Sequence, residues 1–414
     1  MHILFLTENY PPEVNASATR VSERMPYWIA AGHEVTVVTC FPNFPQGRLY
    51  PGWRQRWFQV EQSGGVRVVR LRTYIARNEG FLRRTLDFVS FMVAAVIAAP
   101  RLGRPDVVVA TSPQFFAAVG GWLVSRMKRR PFVFELGDLW PASIRAVGAM
   151  RESRILDAIE RLELFLYRQS AAVVALTDAF KRDLVRRGID ADKIEVVING
   201  VDLPRYSPRP KDPLLLREHN LEGRFVVGYI GTHGLAHDLG NVLQAAERLR
   251  DRPEVCFLFV GDGAAKPRLV EEARARALTN VVFVDPRPKE QMPAYWSLCD
   301  AALIHLKDDP VFAEVIPSKI FEAMAMGLPL VMVARQGEAT AIIERERAGP
   351  VVPAGNPDRL AAAVAELAHD AAARAGYAAN ALAAAPRYSR RRQAEDMERV
   401  LQQVVDADQR RRGN

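Results

Sequence analysis

The sequence predicts an α/β protein with two doubly wound, parallel-sheet domains. Short apolar runs alternate with helical stretches, which is the pattern of the strand–helix–strand units that build parallel sheets. The second half of the chain repeats the order of the first half. The length of 414 residues also favours two or three domains over one.

The first domain is predicted over residues 1–200. It opens with a strand at 2–7, a loop, and a helix from about 15 to 32. Ligands of open α/β sheets bind beyond the carboxyl ends of the strands, so the loop and the helix start should line a cleft. The candidate side chains there are Glu8, Asn9, Glu13, Asn15 and Arg20. Helix capping explains Asn15 at least as well as ligand binding does.

The loop after the first strand also lacks a motif that one class of enzymes would have there. It contains no G-x-G-x-x-G, so the dinucleotide-binding fingerprint is absent where a dehydrogenase would have it.

The remaining elements of this domain keep the same alternation. Strands are predicted at 33–40, 66–72, 106–111, 132–136, 171–176 and 194–198, and helices at 81–99, 115–126, 155–169 and 177–187. Asp138 directly follows a strand, where catalytic groups lie in this architecture. An N-cap for a helix near residue 141 is an equally good role for Asp138.

A proline-rich, apolar-poor segment at 201–213 is predicted to be a linker. The second domain then spans 214–385, and a C-terminal helical segment spans 386–414. Strands are predicted at 225–230, 255–260, 281–284, 301–305 and 330–333, and helices at 239–249, 267–277, 292–299, 357–367 and 390–405.

The most informative stretch is 311–333, VFAEVIPSKIFEAMAMGLPLVMV. Pro317 suits the first position of a helix, and Gly327 suits the left-handed residue that ends it. The N–H groups of Ser318 and Lys319 would then form a phosphate site at the helix start. The carboxylates of Glu314 and Glu322, which accept hydrogen bonds from hydroxyl groups, flank that site. The arrangement predicts a nucleotide sugar, with the diphosphate in the middle and the hexose and ribose on either side.

This string, E-V-I-P-S-K-I-F-E-A-M-A-M-G-L-P, resembles the E-x7-E donor motif of the retaining GT-B glycosyltransferases of family 4. The resemblance implies two Rossmann-like domains that face each other across a cleft, with a final helix that returns to the N-terminal domain. It assigns the hexose hydroxyls to Glu314 and the ribose to Glu322. It also places Asp138 near the anomeric carbon of the donor, so Glu314 and Asp138 are the catalytic candidates. Glu13, Asn15 and Arg20, beyond the end of the first strand, are the candidates for the acceptor cleft.

One departure from the family pattern concerns the diphosphate. Many family members carry G-R-x4-K-G after the first strand of the second domain, whereas this chain has Thr232 and His237 at the Arg and Lys positions. We expect Lys319, the helix dipole and the backbone of Gly231–Gly234 to compensate. Arg287, in the turn after a later strand, could pack on the nucleobase. The Thr/His pattern, together with the ENYPPE and GDLWP strings, resembles the branch that builds bacterial surface polysaccharides, including fucosamine transferases.

The composition limits which metals, cofactors and macromolecules the protein could bind. The three cysteines form no C-x-x-C pair, and the D-x-D strings do not follow strands of the nucleotide site, so no metal and no cofactor are expected. Residues 1–200 hold 27 Lys and Arg against 19 Asp and Glu, which accounts for the whole net charge of +8. An anionic membrane surface or a merely solvated Arg-rich surface explains this excess, while no nucleic-acid-reading module is visible.

The apolar run 88–99 is too short to span a bilayer, and the N-terminus reads as a strand and not as a signal peptide. The expected setting is therefore the cytoplasm, with peripheral contact at the inner face of the membrane.

The sequence thus predicts a metal-independent glycosyltransferase that moves a sugar from a nucleotide sugar, UDP-linked by preference, to a lipid-linked saccharide acceptor. Two alternatives stay open. The first is a nucleotide-sugar epimerase of similar layout, with Asp138, Glu8 and Glu13 as its candidate acids and bases. The second is a nucleotide-sugar-binding partner without turnover.

Overall fold

The computed structural model describes residues 1–44, 46–76, 81–112, 115–138 and 154–413. The chain divides into two compact units, one formed by Met1–Asn199 with Arg390–Asn414 and the other by Gly200–Ser389. Each unit has its own sheet with helices packed on it, which confirms the predicted α/β class with two parallel-sheet domains.

The first unit is built on one twisted sheet. Its strands are β1 (His2–Leu6), β2 (Glu34–Cys40), β3 (Phe58–Ser63), β4 (Val66–Leu71), β5 (Val107–Thr111), β6 (Phe132–Leu136), β7 (Ala172–Ala175) and β8 (Ile194–Val196). They lie in the order β3-β4-β2-β1-β5-β6-β7-β8, and β3 is antiparallel to β4 while the other neighbours are parallel. The central strands are apolar and buried along nearly their whole length because helices cover both faces.

Helices α1 (Ala16–Ser22), α2 (Met25–Ala30), α3 (Phe81–Ala98), α4 (Phe115–Lys128), α5 (Arg154–Gln169) and α6 (Asp178–Arg186) belong to this unit. The single helix predicted from about 15 to 32 is wrong, because the chain forms α1 and α2 with a break at Arg24. Pro26 lies in the first turn of α2, where its missing N–H is tolerated.

The second unit has a sheet of parallel strands only. They are β9 (Phe225–Ile230), β10 (Val255–Val260), β11 (Val281–Val284), β12 (Ala301–His305), β13 (Leu330–Val333) and β14 (Val351–Val352), in the order β11-β10-β9-β12-β13-β14. Its helices are α7 (Pro213–Glu218), α8 (Leu239–Arg248), α9 (Lys266–Ala275), α10 (Met292–Ser297), α11 (Lys319–Ala325), α12 (Glu338–Glu346), α13 (Pro357–His369) and α14 (Ala371–Ala384).

The start of α11 differs from the prediction. Pro317 is not the first helical residue, because α11 begins at Lys319 and the chain between a 3-10 turn at Pro310–Glu314 and Ser318 stays non-helical. The first turn closes where the Ile320 N–H donates to the Pro317 carbonyl at 3.1 Å. Gly327 has a φ of 68°, which confirms its predicted left-handed conformation after the helix.

The last helix, α15 (Arg390–Gly413), packs in the first unit. The indole N–H of Trp28 donates to the Ala394 carbonyl at 3.0 Å, and His33 Nε2 lies 2.8 Å from a carboxylate oxygen of Glu398. Met397 and other apolar residues of α15 join the core formed by α2 and the sheet. Within the ranges that the structure describes, no helix combines the length and apolar content needed to cross a bilayer.

Candidate functional site

A buried lysine lies at the carboxyl ends of the strands in the second unit. Lys319 is the first residue of α11, and its Nζ is buried without a hydrogen-bond partner among the described residues. Nζ lies 3.6 Å from the centre of the Tyr229 ring, on β9. A Cβ atom added to Gly231 would lie 3.0 Å from this Nζ, so the ammonium group sits directly against the turn that follows β9.

The electrostatics of Lys319 suit an anion. Burial lowers its pKa to about 7, and the carboxylate of Glu322, one turn further along α11, opposes that shift. An anion placed beside Nζ would raise this pKa again, because an opposite charge favours the charged form. Nζ therefore lies against an aromatic ring without a hydrogen-bond partner among the described residues, at the place where phosphate was predicted.

The turn beside Lys319 is held by a neighbouring turn. The Gly231 N–H donates to Val260 O at 2.9 Å, and the His233 N–H donates to Asp262 O at 2.8 Å. A Cβ atom at Gly261 would lie only 2.1 Å from the Gly231 carbonyl oxygen, so this position requires glycine. The two turns are thus packed backbone against backbone, which holds residues 231–234 rigidly beside Nζ.

Three histidines near this turn are neutral at physiological pH. Burial lowers the pKa of His233 and His237 to about 4 and that of His305 to about 3, and the positive charge of Lys319 adds to each shift. His237 Nδ1 donates to the His305 carbonyl at 3.3 Å, and His305 Nε2 pairs with Asn241 Oδ1 at 2.9 Å. His237, at the position where many family members carry Lys, therefore adds no charge here.

His233 was not singled out from the sequence. It is fully buried, and both ring nitrogens lack a hydrogen-bond partner among the described residues. The only signal in the sequence was its place between Thr232 and Gly234 in the predicted phosphate turn.

The two glutamates of the E-x7-E motif, Glu314 and Glu322, are held in place by different contacts. Trp296, fully buried on α10, donates its indole N–H to Glu322 Oε2 at 3.2 Å. Glu314 ends the 3-10 turn at Pro310–Glu314, and Gly337 lets another loop approach this turn, since a Cβ there would lie 2.0 Å from the Ala313 carbonyl oxygen. Both carboxylates are half-buried, so solvent and ligand can reach them.

Most of the remaining residues that were predicted to bind the donor are exposed to solvent. Ser318 and Thr232 are exposed, and Gly234 begins the short turn Leu235–His237. Arg287 is exposed, 3.8 Å from a Glu218 carboxylate oxygen and 6.0 Å from the centre of the Tyr295 ring. These contacts of Arg287 do not involve Lys319, and its role with a nucleobase stays a prediction.

Two residues that were predicted to line the acceptor cleft make hydrogen bonds that stabilise the first unit. Glu13 is buried, and its carboxylate accepts hydrogen bonds from the N–H groups of Asn43 and Phe44 at 2.8 Å each and from the side chain of Asn9 at 2.8 Å. Asn15 caps α1 by accepting from the Ala18 N–H at 2.9 Å. Contact of either residue with an acceptor stays a prediction.

Arg20 belongs to a buried ionic network. It donates to Thr111 Oγ1 at 2.8 Å and lies 3.7 Å from Glu135, and the unpredicted Arg24 lies 2.7 Å from the same carboxylate. Burial raises the pKa of Glu135, but the two arginines outweigh it and the pKa lies below its ordinary value. The negative charge of Asp138, two residues after β6, also acts on Arg20, so both predicted side chains lie at the same sheet edge.

A second carboxyl pair lies at the end of β1. Glu8 and Asp87, on α3, are both buried, and burial raises the pKa of each, that of Asp87 to about 7. Asp87 was not predicted, because it lies in an apolar helix far from Glu8 in sequence. Within the described part of the chain, no group of three or more possible metal ligands occurs.

Family models of glycosyl transferases match both halves of the chain. Residues 15–200 match the family model of a glycosyl transferase 4-like domain, and residues 224–370 match that of glycosyl transferases group 1. The chain is 27% identical over 341 residues to the "Putative colanic acid biosynthesis glycosyl transferase WcaI" of Escherichia coli K12, covering 79% of this chain and 82% of that protein. It is 26% identical over 374 residues to a GDP-mannose-dependent alpha-mannosyltransferase of Mycobacterium tuberculosis, covering 89% of each.

A solved structure extends the likeness to the fold. The Anabaena protein Alr3699/HepE, crystallised in complex with UDP, superposes with a TM-score of 0.71 at 20% identity, over 97% of this chain and 100% of that one. The family models and the fold define a glycosyltransferase with the GT-B fold. The chain belongs to the family 4 glycosyltransferases, as the E-x7-E motif indicated.

Proposed function

We propose that this enzyme transfers a sugar from a UDP-linked donor to a lipid-linked saccharide during the synthesis of a cell-surface polysaccharide. The observation that carries the proposal is the buried Nζ of Lys319, which has no hydrogen-bond partner among the described residues and lies against the turn at Gly231. A buried charge is costly unless it is paired, and a diphosphate would pair it.

The donor would lie along the carboxyl ends of β9 and β12. Its diphosphate contacts Lys319 and the turn at 231–234, which includes Thr232 and His237. Glu322 accepts hydrogen bonds from the ribose hydroxyls, and Glu314 accepts those of the hexose. This assignment rests on the resemblance to the E-x7-E motif, on the acceptor-only chemistry of carboxylates, and on their places before and after Lys319 in the sequence.

The reaction needs little covalent chemistry from the protein. The bond between the anomeric carbon and the β-phosphate oxygen breaks, a bond from the acceptor oxygen forms, and the acceptor hydroxyl loses its proton. Lys319 would stabilise the negative charge that grows on the leaving diphosphate, and the fixed turns would hold the donor in position. Family membership favours retention of configuration and transfer over epimerisation or binding without turnover. The proposal includes no metal and no cofactor.

The names of the relatives support the finer assignments. WcaI is named for colanic acid biosynthesis, and HepE was crystallised with UDP, whereas the mycobacterial relative is named for GDP-mannose. We propose UDP over GDP, and an acceptor at the cytoplasmic face of the membrane, with Asp138, Glu13, Asn15 and Arg20 on the acceptor side.

Calorimetric titration with UDP, GDP and NAD tests the proposal. We expect UDP to bind best, NAD not to bind, and EDTA to leave the affinity unchanged. Glu322→Gln should weaken UDP binding roughly tenfold, since hydrogen bonds to charged groups contribute about 1.5–3 kcal/mol. Glu366→Gln, an exposed position on α13, is the matched control. Absence of UDP and GDP binding, or binding that EDTA abolishes, would contradict the proposal.

A further inference from the structure

A surface cavity of about 400 Å³ lies on the first unit, next to the edge strand β3. This volume falls in the range of about 300–1,000 Å³ that is usual for small-molecule sites. The loop that follows β2 and the strand β3 form its walls, which we call the Trp53 pocket: Gly52, Trp53, Arg54, Arg56, Gln59 and Val60. These residues differ from those assigned to the donor and the acceptor above.

The indole of Trp53 is held by two neighbouring side chains. The guanidinium carbon of Arg70 lies 4.7 Å from the centre of the indole, and the Phe41 ring packs against the indole edge to face at 6.2 Å. Arg70 is buried, and it donates to the Cys40 carbonyl at 3.0 Å and to Glu61 at 2.8 Å. Because Trp53 itself is partly exposed, the pocket has a fixed aromatic wall that a ligand can reach.

Two arginines line the pocket without a counter-charge. Arg54 and Arg56 are exposed, and Gln55 between them donates its side-chain amide to the Thr73 carbonyl at 3.0 Å. Among the described residues, neither guanidinium has a hydrogen-bond or ion-pair partner, and no acidic residue lines the cavity. The side-chain amide of Gln59 also has no partner in the described part of the chain. The pocket thus offers two guanidinium groups and one amide to a ligand.

Hydrogen bonds hold the loop that carries these side chains. The Tyr50 N–H donates to the Pro42 carbonyl at 3.1 Å, and the Tyr50 hydroxyl donates to the Phe44 carbonyl at 2.8 Å. The Trp53 N–H donates to the Tyr50 carbonyl at 3.1 Å, and the Phe44 N–H donates to Glu13 at 2.8 Å. Because this backbone is already fixed, little conformational entropy is lost when a ligand binds the loop.

We propose that the Trp53 pocket binds a carboxylate-bearing sugar unit of a saccharide chain. The guanidinium groups of Arg54 and Arg56 donate charge-assisted hydrogen bonds to the carboxylate, for which arginine is well suited. The indole of Trp53 packs against the C–H face of the sugar ring and removes apolar area from water. The amide of Gln59, which can both donate and accept, binds a sugar hydroxyl.

The combination of an indole with two arginines favours a sugar over other anions. Phosphate or a lipid headgroup would pair with Arg54 and Arg56 but has no flat apolar face to place against Trp53. An acidic sugar uses both features of the pocket. In the proposed function this sugar belongs to the acceptor, which is then an acidic saccharide. Only that last assignment rests on the proposed function.

Calorimetric titration of the full-length protein with defined tetrasaccharides tests the proposal. The acidic probes are tetrasaccharides of hyaluronan and of alginate, the neutral probe is chitotetraose, and inorganic phosphate is the anion without a sugar. We expect at least one acidic probe to bind at least roughly tenfold more tightly than chitotetraose or phosphate. The double variant Arg54→Gln/Arg56→Gln should lose at least roughly tenfold in affinity for that probe, and Trp53→Leu roughly fivefold.

The matched control is the double variant Arg101→Gln/Arg104→Gln. Both arginines are exposed on the first unit, so the control changes the net charge by the same amount as the pocket variant. Its affinity for the acidic probe should stay within about twofold of wild type, because exposed charges distant from a ligand are screened by salt. An equal loss in the two double variants would mean that net charge alone attracts the saccharide, and would overturn the proposal.

The remaining outcomes separate this inference from the proposed function. UDP affinity is measured on the same proteins, and an unchanged value shows that the variants are folded. Wild-type affinity for the acidic probe in Arg54→Gln/Arg56→Gln, or no binding of either acidic probe by the wild type, overturns the proposal and leaves the donor site untouched. Equally tight binding of chitotetraose or phosphate, or displacement of the acidic probe by phosphatidylglycerol vesicles, also overturns it. Binding of the acidic probe without UDP binding would contradict the donor proposal and leave the Trp53 pocket standing.

Discussion

The indole N–H of Trp296 donates to Glu322 Oε2 at 3.2 Å, from a side chain that is fully buried. This bond links α10 to α11 and fixes the orientation of the carboxylate that we assign to the ribose. The E-x7-E motif therefore depends on a residue 26 positions before its second glutamate.

Removing this hydrogen bond should affect nucleotide binding. We expect Trp296→Phe to lower UDP affinity roughly fivefold to tenfold, because Glu322 loses a donor that orients it. Trp28→Phe is the control: Trp28 is also fully buried and donates to a carbonyl in the first unit. Both variants should be less stable, but only Trp296→Phe should change the calorimetric affinity. Equal UDP affinities in the two variants would refute a positioning role for Trp296.

The pKa of Lys319 predicts pH-dependent binding. With a pKa of about 7, Lys319 loses its charge as the pH rises above neutrality, whereas the three histidines stay neutral throughout. UDP affinity should therefore fall by up to roughly tenfold per pH unit between pH 7.5 and 9. Lys319→Met should abolish this dependence, as titrations across that range would show. A wild-type affinity that stays flat with pH is the contrary result.

The same pKa has a consequence for stability. Because unfolded lysine has a pKa of about 10.4, the unfolded chain binds more protons at Lys319 than the folded chain does between pH 7 and 10. The contribution of Lys319 to the free energy of unfolding should thus rise with pH in this window. Denaturation of wild type and Lys319→Met at pH 7 and 9 measures it, and the stability gain of Lys319→Met should be larger at pH 7. A gain that is equal at both pH values would be inconsistent with a lowered pKa of Lys319 in the folded protein.

The contact between Gly261 and Gly231 predicts a strong glycine requirement. Gly261→Ala should weaken UDP binding at least roughly tenfold, because the new Cβ must push the turn at Gly231 away from Nζ. Gly188→Ala provides the comparison, since Gly188 also has a positive φ, of 80°, but a Cβ there has nothing within 4 Å. That variant should lose about 1 kcal/mol of stability without a change in UDP affinity. UDP calorimetry on both variants decides, and normal binding by Gly261→Ala would count against a rigid turn.

The buried network around Glu135 should dominate the stability of the first unit. Arg24→Met leaves Glu135 with one arginine fewer in the interior, which typically costs about 3–5 kcal/mol for a buried pair. Arg186→Met removes an exposed partner of Asp183 and should cost less than about 0.5 kcal/mol. Denaturant midpoints of the two variants measure the difference. Similar midpoints would mean that the network contributes little.

Much of this fold was predictable because buried parallel strands leave continuous apolar runs. The predicted strands in the two sheets correspond to such runs, and β3 was missed because FQVEQS lies at an exposed edge and lacks one. Helix α14 was missed because its alanine-rich sequence shows little contrast between faces. The break between α1 and α2 falls just before Pro26, whose missing N–H cannot donate to the Ser22 carbonyl, so the prediction of one continuous helix overlooked a local signal.

The residue types of the site could be predicted from the sequence, but the burial of Lys319 Nζ and its lowered pKa could not. The motif placed Lys319 between Glu314 and Glu322, and the structure adds that Nζ is buried against Tyr229 and Gly231. That burial arises from strand β9, about ninety residues earlier in the chain, so the motif itself contains no sign of it.

The most direct test of this account is the affinity for UDP of wild type, Lys319→Met and Lys181→Met at pH 6.5. Lys181 is a partly buried lysine of the first unit whose Nζ donates to a carbonyl, which makes it a matched control. We predict a loss of roughly tenfold to a hundredfold for Lys319→Met and a change within about twofold for Lys181→Met. Wild-type affinity in Lys319→Met would contradict the claim that Lys319 neutralises the diphosphate.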